Sequence, residues 1–190
     1  EEAQKLLLPT VEQIKTLFGN KVYGVDVKSL EQVVQSLLEE KGMTIGVAES
    51  ITGGLLAKRL TDLPGVSRVF KGGIVSYTNE VKRAVLGVPE AVLAEHGAVS
   101  APVAQAMAEG TRRVLGVDIA LSATGVAGPD RDDRGNEVGT AFVAIATPEG
   151  SYVRALNLGN RPMRERLRTQ TAHHAFDLAR RYLSGLPYEG

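Results

Sequence analysis

Apolar positions along this chain repeat with two different periods. From Thr10 through Val11, Ile14 and Leu17 to Phe18 the spacing is helical, and Gly19-Asn20 ends the run. Val22-Tyr23-Gly24-Val25 has the composition of a short strand. Ser29 stands as an N-cap with Gln32 three residues on, as in a capping box. Leu30, Val33, Val34, Leu37 and Leu38 then give the stripe of a helix that stops at Lys41-Gly42. Beyond Gly42, short apolar runs alternate with helical patterns. Met43 to Ala48 reads as a buried strand, Ser50 to Gly54 as a tight turn, and Leu55 to Leu63 as a helix broken by Pro64-Gly65. Val69 to Tyr77 is a second strand, with Gly72-Gly73 inside it. Asn79 is expected to cap a short helix through Leu86, and Pro89 to His96 and Ala101 to Leu115 read as two more helices. Val117 to Ser122 is a third strand. A Gly/Asp/Pro loop fills 125–135, and Val138 to Thr147 with Tyr152 to Leu158 form a hairpin around Pro148-Glu149-Gly150. Arg164 to Leu183 is a terminal helix.

This order predicts an α/β fold: a three-layer α/β/α sandwich with a mixed, mostly parallel sheet closed by an antiparallel hairpin. Residues 1–25 lack the apolar content of a self-sufficient domain. The stretch 1–28 reads as the remnant or linker of a preceding N-terminal region, and 29–190 as the domain proper.

Composition narrows the function. The 190 residues are 43% hydrophobic, enough for one core. Lys plus Arg and Asp plus Glu each number 22, a balance that argues against a dedicated nucleic-acid or anionic-membrane binder. No apolar run approaches the ~20 residues of a transmembrane helix, and no signal peptide opens the chain. A cytoplasmic protein is expected. With no cysteine, thiol nucleophiles, disulfides and Cys-ligated zinc are excluded. A metal site is not expected either, since only three His are present and His173 and His174 are adjacent. Asp130, Asp132 and Asp133 are interleaved with Arg131 and Arg134 and read as a solvated loop rather than a magnesium site. Domains of this size often bury an exposed helix face, so a homodimer is expected.

Open α/β sheets bind ligands at the carboxyl ends of their strands. Ser50 lies there, between a buried strand and a helix. It is either a nucleophile beside an anion site, or it and Thr52 simply cap the helix. Gly53 and Gly54 would let a ligand approach the main chain. Lys82 could deprotonate Ser50, directly or through the Tyr77 phenol, if desolvation lowers its pKa. The alternative is a core-edge Tyr and a solvated Lys. Neither S-x-x-K nor G-x-S-x-G is present around Ser50. The Tyr–Lys spacing of five and the missing G-x-G-x-x-G disfavour a nicotinamide oxidoreductase. Gly125 and Gly128 in GVAGPD could turn N–H groups toward a phosphate or sugar, or belong to an ordinary surface loop. Arg161 suits bidentate anion binding, or is a solvated helix start. Glu49 is expected to pair with Lys or Arg, and the Arg-rich stretch 161–168 to be a solvated face.

Several spaced motifs carry a resemblance. The run VAESITGGLLAKRLTDLPGVSRVFKGGIVSYTNEVK (47–82), with AEHGAVS (94–100), TGVAGPD (124–130) and VGTAFVA (138–144), resembles the C-terminal domain of the competence/damage-inducible protein A (CinA) family over about residues 29–184. The resemblance implies a nicotinamide-nucleotide amidase that hydrolyses the carboxamide of nicotinamide mononucleotide to nicotinate mononucleotide and ammonia, without a cofactor. It implies Ser50 as nucleophile, Tyr77 and Lys82 as its activating partners, and Arg161 on the nucleotide phosphate. Thr52, Gly53 and Gly54 would supply oxyanion donors, and Asn79, Gly125 and Gly128 would contact ribose or pyridine. Position 51 is Ile where the family motif usually reads Cys, so one pocket wall differs. Residues 1–25 resemble the linker end of the larger N-terminal region of two-domain members, a region linked to pyrophosphatase activity on ADP-ribose. The alternative is a catalytically silent nucleotide-binding module regulating that region. A metal-dependent phosphatase would need a carboxylate cluster, for which only the 130–137 loop is a candidate. A DNA-interacting factor has no basic excess behind it.

Overall fold

The computed structural model describes residues 2–159 and 163–189. The elements run α1 (Glu2–Phe18), α2 (Leu30–Lys41), β1 (Ile45–Glu49), α3 (Leu55–Thr61), β2 (Phe70–Val75), α4 (Asn79–Leu86), α5 (Glu90–His96), α6 (Ala101–Leu115), β3 (Ile119–Gly125), β4 (Thr140–Thr147), β5 (Gly150–Asn157) and α7 (Arg164–Leu183). The sheet order is β2-β1-β3-β4-β5. β1 pairs in parallel with β2 and β3, whereas β4 is antiparallel to both β3 and β5. Four strands therefore point one way and β4 alone is reversed.

Side-chain size explains how the layers form. One face of the sheet carries Ile45, Val47, Ile119, Leu121, Val143 and Ile145, which pack in one core with residues of α2, α3 and α7. The other face carries small residues. Ser122 donates to the Ala104 carbonyl of α6 at 2.5 Å, and Ala144 and Ala146 cluster with Ala104 and Ala108. A side chain at Gly46 would strike Leu115 at 2.7 Å. Small residues facing small residues let α6 lie close on the strands, where close packing maximises dispersion contacts. Leu86 of α4, Val88 just after it and Leu93 of α5 fill a second cluster with Ala48, Val103 and Met107.

Local differences from the sequence expectation have physical reasons. Thr78, not Asn79, caps α4: its side chain accepts from the Val81 N–H at 3.4 Å. Ser29 does cap α2, accepting from Gln32 N–H, and Gln32 accepts from Lys28 N–H. Val22–Val25 has no strand partner and stays irregular. β1 starts at Ile45 because Thr44 is taken by Asp118, whose carboxylate accepts from both the Thr44 N–H and hydroxyl at 2.7 Å. Asp118 likewise delays β3 to Ile119. Helix α1 packs mainly on the turn that follows it, and Leu7, Leu8, Leu17 and Phe18 are exposed. That turn is tied to α7, where Arg180 donates to the Asn20 carbonyl at 2.9 Å. Among the described residues no helix is long and apolar enough to cross a membrane.

Helix α4 is held against α6 at one tight point. A Cβ at Gly110 would lie 2.1 Å from the Leu86 carbonyl oxygen. Gly110→Ala must push α4 outward and is expected to destabilise the fold by about 1–3 kcal/mol. For a domain of this size that is a Tm drop of about 2–4 °C per kcal/mol in a thermal melt. An unchanged Tm would mean that α4 is free to back away.

Candidate active site

The carboxyl end of β1 opens onto a crevice because β2 and β3 are reached over opposite faces of the sheet. Ser50 follows β1 directly, and its N–H donates to the Ala123 carbonyl at 2.9 Å. The following turn is built differently from the sequence expectation. Neither Ser50 nor Thr52 caps α3: Gly54 occupies that position with φ 98°. The capping oxygen comes from Glu49, which is fully buried and accepts the N–H groups of Gly54, Leu56 and Ala57, each at 2.9 Å. Glu49 is thus paired with a helix start rather than with Lys or Arg. Gly53 sits at φ +57°, and a Cβ there would lie 3.3 Å from the Arg168 guanidinium. Arg168 reaches across from α7 and donates twice to the Thr52 carbonyl, at 2.7 and 3.2 Å. The glycine pair serves the turn and makes room for Arg168. Arg168 is correspondingly half-buried, whereas Arg164 and Arg166 are exposed.

Lys82 is the decisive neighbour. It is 1% exposed, and its Nζ lies 3.3 Å from Ser50 Oγ and 2.7 Å from the Ser76 carbonyl. Among the described residues no carboxylate lies within ion-pair distance of it. Burial pushes its ammonium down to about 8. A solvated Lys, the alternative left open by the sequence, is excluded by this position.

The cavity around this pair measures about 260 Å³, near the small end of ligand sites. Ser50, Ile51, Tyr77 and Lys82 line it together with Gly125, Gly128 and Arg164. Of the residues singled out in the sequence, Ser50, Tyr77, Lys82, Gly125 and Gly128 are brought together. Thr52, Gly53, Gly54 and Asn79 are not on the cavity wall. Thr52 is fully buried, and its hydroxyl has no partner among the described residues. The Gly53 and Gly54 N–H groups are already taken, by Ser50 O and Glu49. Tyr77 is 59% exposed, and its hydroxyl accepts from Arg164 at 3.2 Å rather than meeting Ser50 or Lys82. Arg161 lies outside the described residues. Gly125 is required by packing, since a Cβ would meet Ala141, Ile51 and the Thr140 carbonyl at 2.7–2.8 Å.

Sequence reasoning missed Arg164 and the 98–99 wall. Thr124 fixes that wall by donating to the Ala98 carbonyl at 2.8 Å, and Asn136 donates to Val99 at 3.2 Å. The AEHGAVS segment had signalled it without a role. Among the described residues no three His, Asp or Glu converge as a metal site.

Residues 27–183 match the CinA C-terminal domain. The chain belongs to the CinA family. A CinA-like protein from Frankia casuarinae is 50% identical over 188 residues, covering 98% of this chain and 42% of the relative. Another from Desulfotalea psychrophila is 45% identical over 181 residues, covering 95% and 43%. The chain thus spans less than half the length of these curated relatives. Among solved structures, a competence-damaged protein (CinA) superfamily protein from Klebsiella pneumoniae superposes with a TM-score of 0.79 at 29% identity, covering 82% of this chain and 96% of that one. The competence/damage inducible protein CihA from Agrobacterium tumefaciens gives 0.78 at 31%, covering 85% and 97%. The α/β sandwich is therefore the CinA fold.

The buried amine of this CinA domain has a signature in stability. Unfolded, Lys82 titrates near 10.5; folded, near 8. Between those values the unfolded chain holds a proton that the folded chain has shed, so stability rises with pH there. Below pH 8 both states are charged and the burial cost is present in full. Urea unfolding at pH 7 to 10.5 should show wild type gaining roughly 3 kcal/mol relative to Lys82→Met. Parallel pH profiles would show that the amine is not desolvated.

Proposed function

We propose that this cavity is the active site of a nicotinamide-nucleotide amidase, which hydrolyses the carboxamide of nicotinamide mononucleotide through Ser50. The observation that carries this reading is the buried Lys82 amine 3.3 Å from Ser50 Oγ, pushed down to about 8 by burial and with no carboxylate at ion-pair distance among the described residues. A base with that pKa is partly neutral at physiological pH and still basic enough to accept a hydroxyl proton.

In the proposed reaction the Ser50 proton passes to the Lys82 amine as Oγ attacks the carboxamide carbon. The carbonyl π electrons move onto oxygen. The candidate donor for that oxyanion is the N–H of Ile51, a residue that lines the cavity and whose N–H has no acceptor among the described residues. This replaces the expected Thr52–Gly54 set, two of whose donors are occupied. Collapse of the intermediate breaks the C–N bond, and Lys82 returns its proton to the departing ammonia. Water then attacks the Ser50 ester, giving its proton to Lys82, and the nicotinate product leaves as Oγ is reprotonated. Tyr77, committed to Arg164, is a rim residue in this scheme rather than a relay. Asn79, Thr52, Gly53 and Gly54 act through the backbone around Ser50 and α4, not by touching substrate.

EDTA-treated protein incubated with nicotinamide mononucleotide should release ammonia and nicotinate mononucleotide in equal amounts. Ser50→Ala should abolish turnover, and Lys82→Ala should reduce kcat by about 10²–10⁴-fold. Because only the neutral amine accepts the proton, kcat/KM should rise about tenfold per pH unit and level off above about pH 8. Binding without turnover would favour the silent regulatory module. Release of inorganic phosphate that appears only with an added divalent cation would favour the phosphatase reading.

A further inference from the structure

A protonated Lys has three N–H donors and carries a full charge. Among the described residues the Lys82 amine meets two acceptors, the Ser76 carbonyl at 2.7 Å and Ser50 Oγ at 3.3 Å, and both are neutral. The carboxylates around it are committed elsewhere or out of reach. Glu49, beside Ser50 in sequence, accepts the N–H groups of Gly54, Leu56 and Ala57. Asp132 is used by its own loop, accepting from the N–H groups of Arg134 and Asn136. Asp130 lines the cavity but is not within ion-pair distance of Lys82. Glu80 and Arg83 share α4 with Lys82 and are exposed, and Arg83 is paired with Glu90. Across the cavity Arg131 is paired with Glu137, and Arg164 donates to the Gly128 carbonyl and the Tyr77 hydroxyl. In its protonated form Lys82 is therefore a buried cation with no counter-charge at ion-pair distance among the described residues. It stands on the same cavity wall as Ser50.

We infer that the Lys82 ammonium is a carboxylate-binding site, which takes the acid product of the reaction and makes the enzyme subject to inhibition by that product. This rests on the amidase reading above. In deacylation the attacking water gives its proton to Lys82, so the oxygen it contributes to the product lies within hydrogen-bond reach of Nζ. Once Oγ is reprotonated, a carboxylic acid is left beside a neutral amine. The acid O–H bond then breaks and an Nζ–H bond forms, leaving carboxylate and ammonium side by side. The direction follows from basicity. Burial lowers the amine only to about 8, well above a carboxyl at roughly 4. The pair gives the third N–H an acceptor and neutralises the buried charge, which an uncharged carboxamide cannot do. A ligand that binds only the protonated amine loses affinity as that proton is lost. The next attack needs the neutral amine, so the product and the extra proton must both leave before turnover resumes.

The test sets nicotinate mononucleotide against nicotinamide mononucleotide, which share ribose, phosphate and pyridinium ring. As an inhibitor of the parent enzyme, the acid should have an inhibition constant that is flat below about pH 8. Above that it should rise about tenfold per pH unit. Calorimetry in buffers of different ionisation enthalpy should show the acid taking up about one proton at pH 9.5 and about a tenth of one at pH 7. On Ser50→Ala, which removes turnover, the acid should bind about 10–100-fold more tightly than the amide at pH 7 and lose that preference by about pH 10. Adding Lys82→Met should erase the preference at every pH and leave the amide affinity within about threefold. A preference for the acid that ignores pH, or that survives Lys82→Met, overturns the inference, because a permanently charged arginine would then hold the carboxylate. Acid binding without proton uptake at pH 9.5 overturns it as well. Turnover of the amide with no preference for the acid overturns it and leaves the amidase reading standing. If the parent neither turns over nor binds either mononucleotide, the amidase reading falls, and free nicotinate becomes the probe. Nicotinate binding that weakens above about pH 8 and is lost in Lys82→Met upholds the carboxylate site. No binding by the parent, or binding that survives Lys82→Met, overturns it.

Discussion

A single buried amine constrains this structure more than any other group. An ammonium taken out of water is costly unless a counter-charge accompanies it. Among the described residues the Lys82 amine meets two neutral oxygens, Ser76 O and Ser50 Oγ. The fold accordingly pins α4 at both ends. Thr78 caps its start, and Gly87 closes its end in the left-handed conformation, donating to Arg83 and Lys82 carbonyls. Arg113 of α6 donates to Leu86 O at 2.7 Å, and Gly110 lets the two helices touch. Without these restraints the amine would swing out to solvent and regain its ordinary basicity. The apolar cluster of Leu86, Val88, Leu93, Val103 and Met107 packs beside α4.

Glu49 is the second half of the same constraint. A carboxylate next to Ser50 in sequence would be a natural counter-ion for Lys82, and an ion pair would raise the amine's pKa instead of lowering it. Three N–H groups at the start of α3 occupy that carboxylate instead. The helix terminus gains its missing acceptors, and Lys82 is left free to lose a proton. The same bonds occupy the N–H groups with which the α3 terminus would otherwise hold an anion. Arg168 braces the turn from the other side through Thr52 O. Ser50 is thus held by a carboxylate before it and a guanidinium after it, and neither needs to touch a ligand.

Much of this was legible in the sequence, because periodicity and turn chemistry are local. The alternation of strands and helices, the Ser29 cap, the hairpin at Pro148-Glu149 and the α/β/α layering all follow from spacing and residue type. So does the idea that Ser50 and Lys82 could meet, although 32 positions separate them. What was not legible depends on tertiary contact. Glu49 looked like a partner for Lys or Arg because sequence does not reveal which N–H groups a buried carboxylate will find. Thr78 and Asn79 are both good capping residues, and only the exit of the chain from β2 decides between them. Val22–Val25 has strand composition but no neighbour to pair with. Arg164 looked like one of several solvated arginines, and its place at the cavity follows from where β5 delivers α7.

That delivery is a consequence of reversing one strand. In a fully parallel sheet the loop after β3 would have to cross back to the opposite edge before the next strand began. Because β4 runs antiparallel to β3, the 126–139 loop leaves and returns at the carboxyl edge. It is stitched there by Val126 N–H to Thr140 O at 2.8 Å and Gly139 N–H to Val126 O at 2.9 Å. Because β5 reverses again, its end lies at that edge too, and Leu158 N–H donates to Gly139 O at 2.9 Å. The turn after β1, the exit of β2, the loop after β3 and the start of α7 therefore converge at one rim, beside the 98–99 wall. Parallel pairing brings Ser50 and Lys82 together, from the turn after β1 and the helix after β2. The reversal at β4 keeps the 125–128 wall at the same edge, and the return of β5 brings α7 and Arg164 there. The Ser50–Lys82 pair and the opposite wall thus lie on separate parts of the chain while facing one cavity.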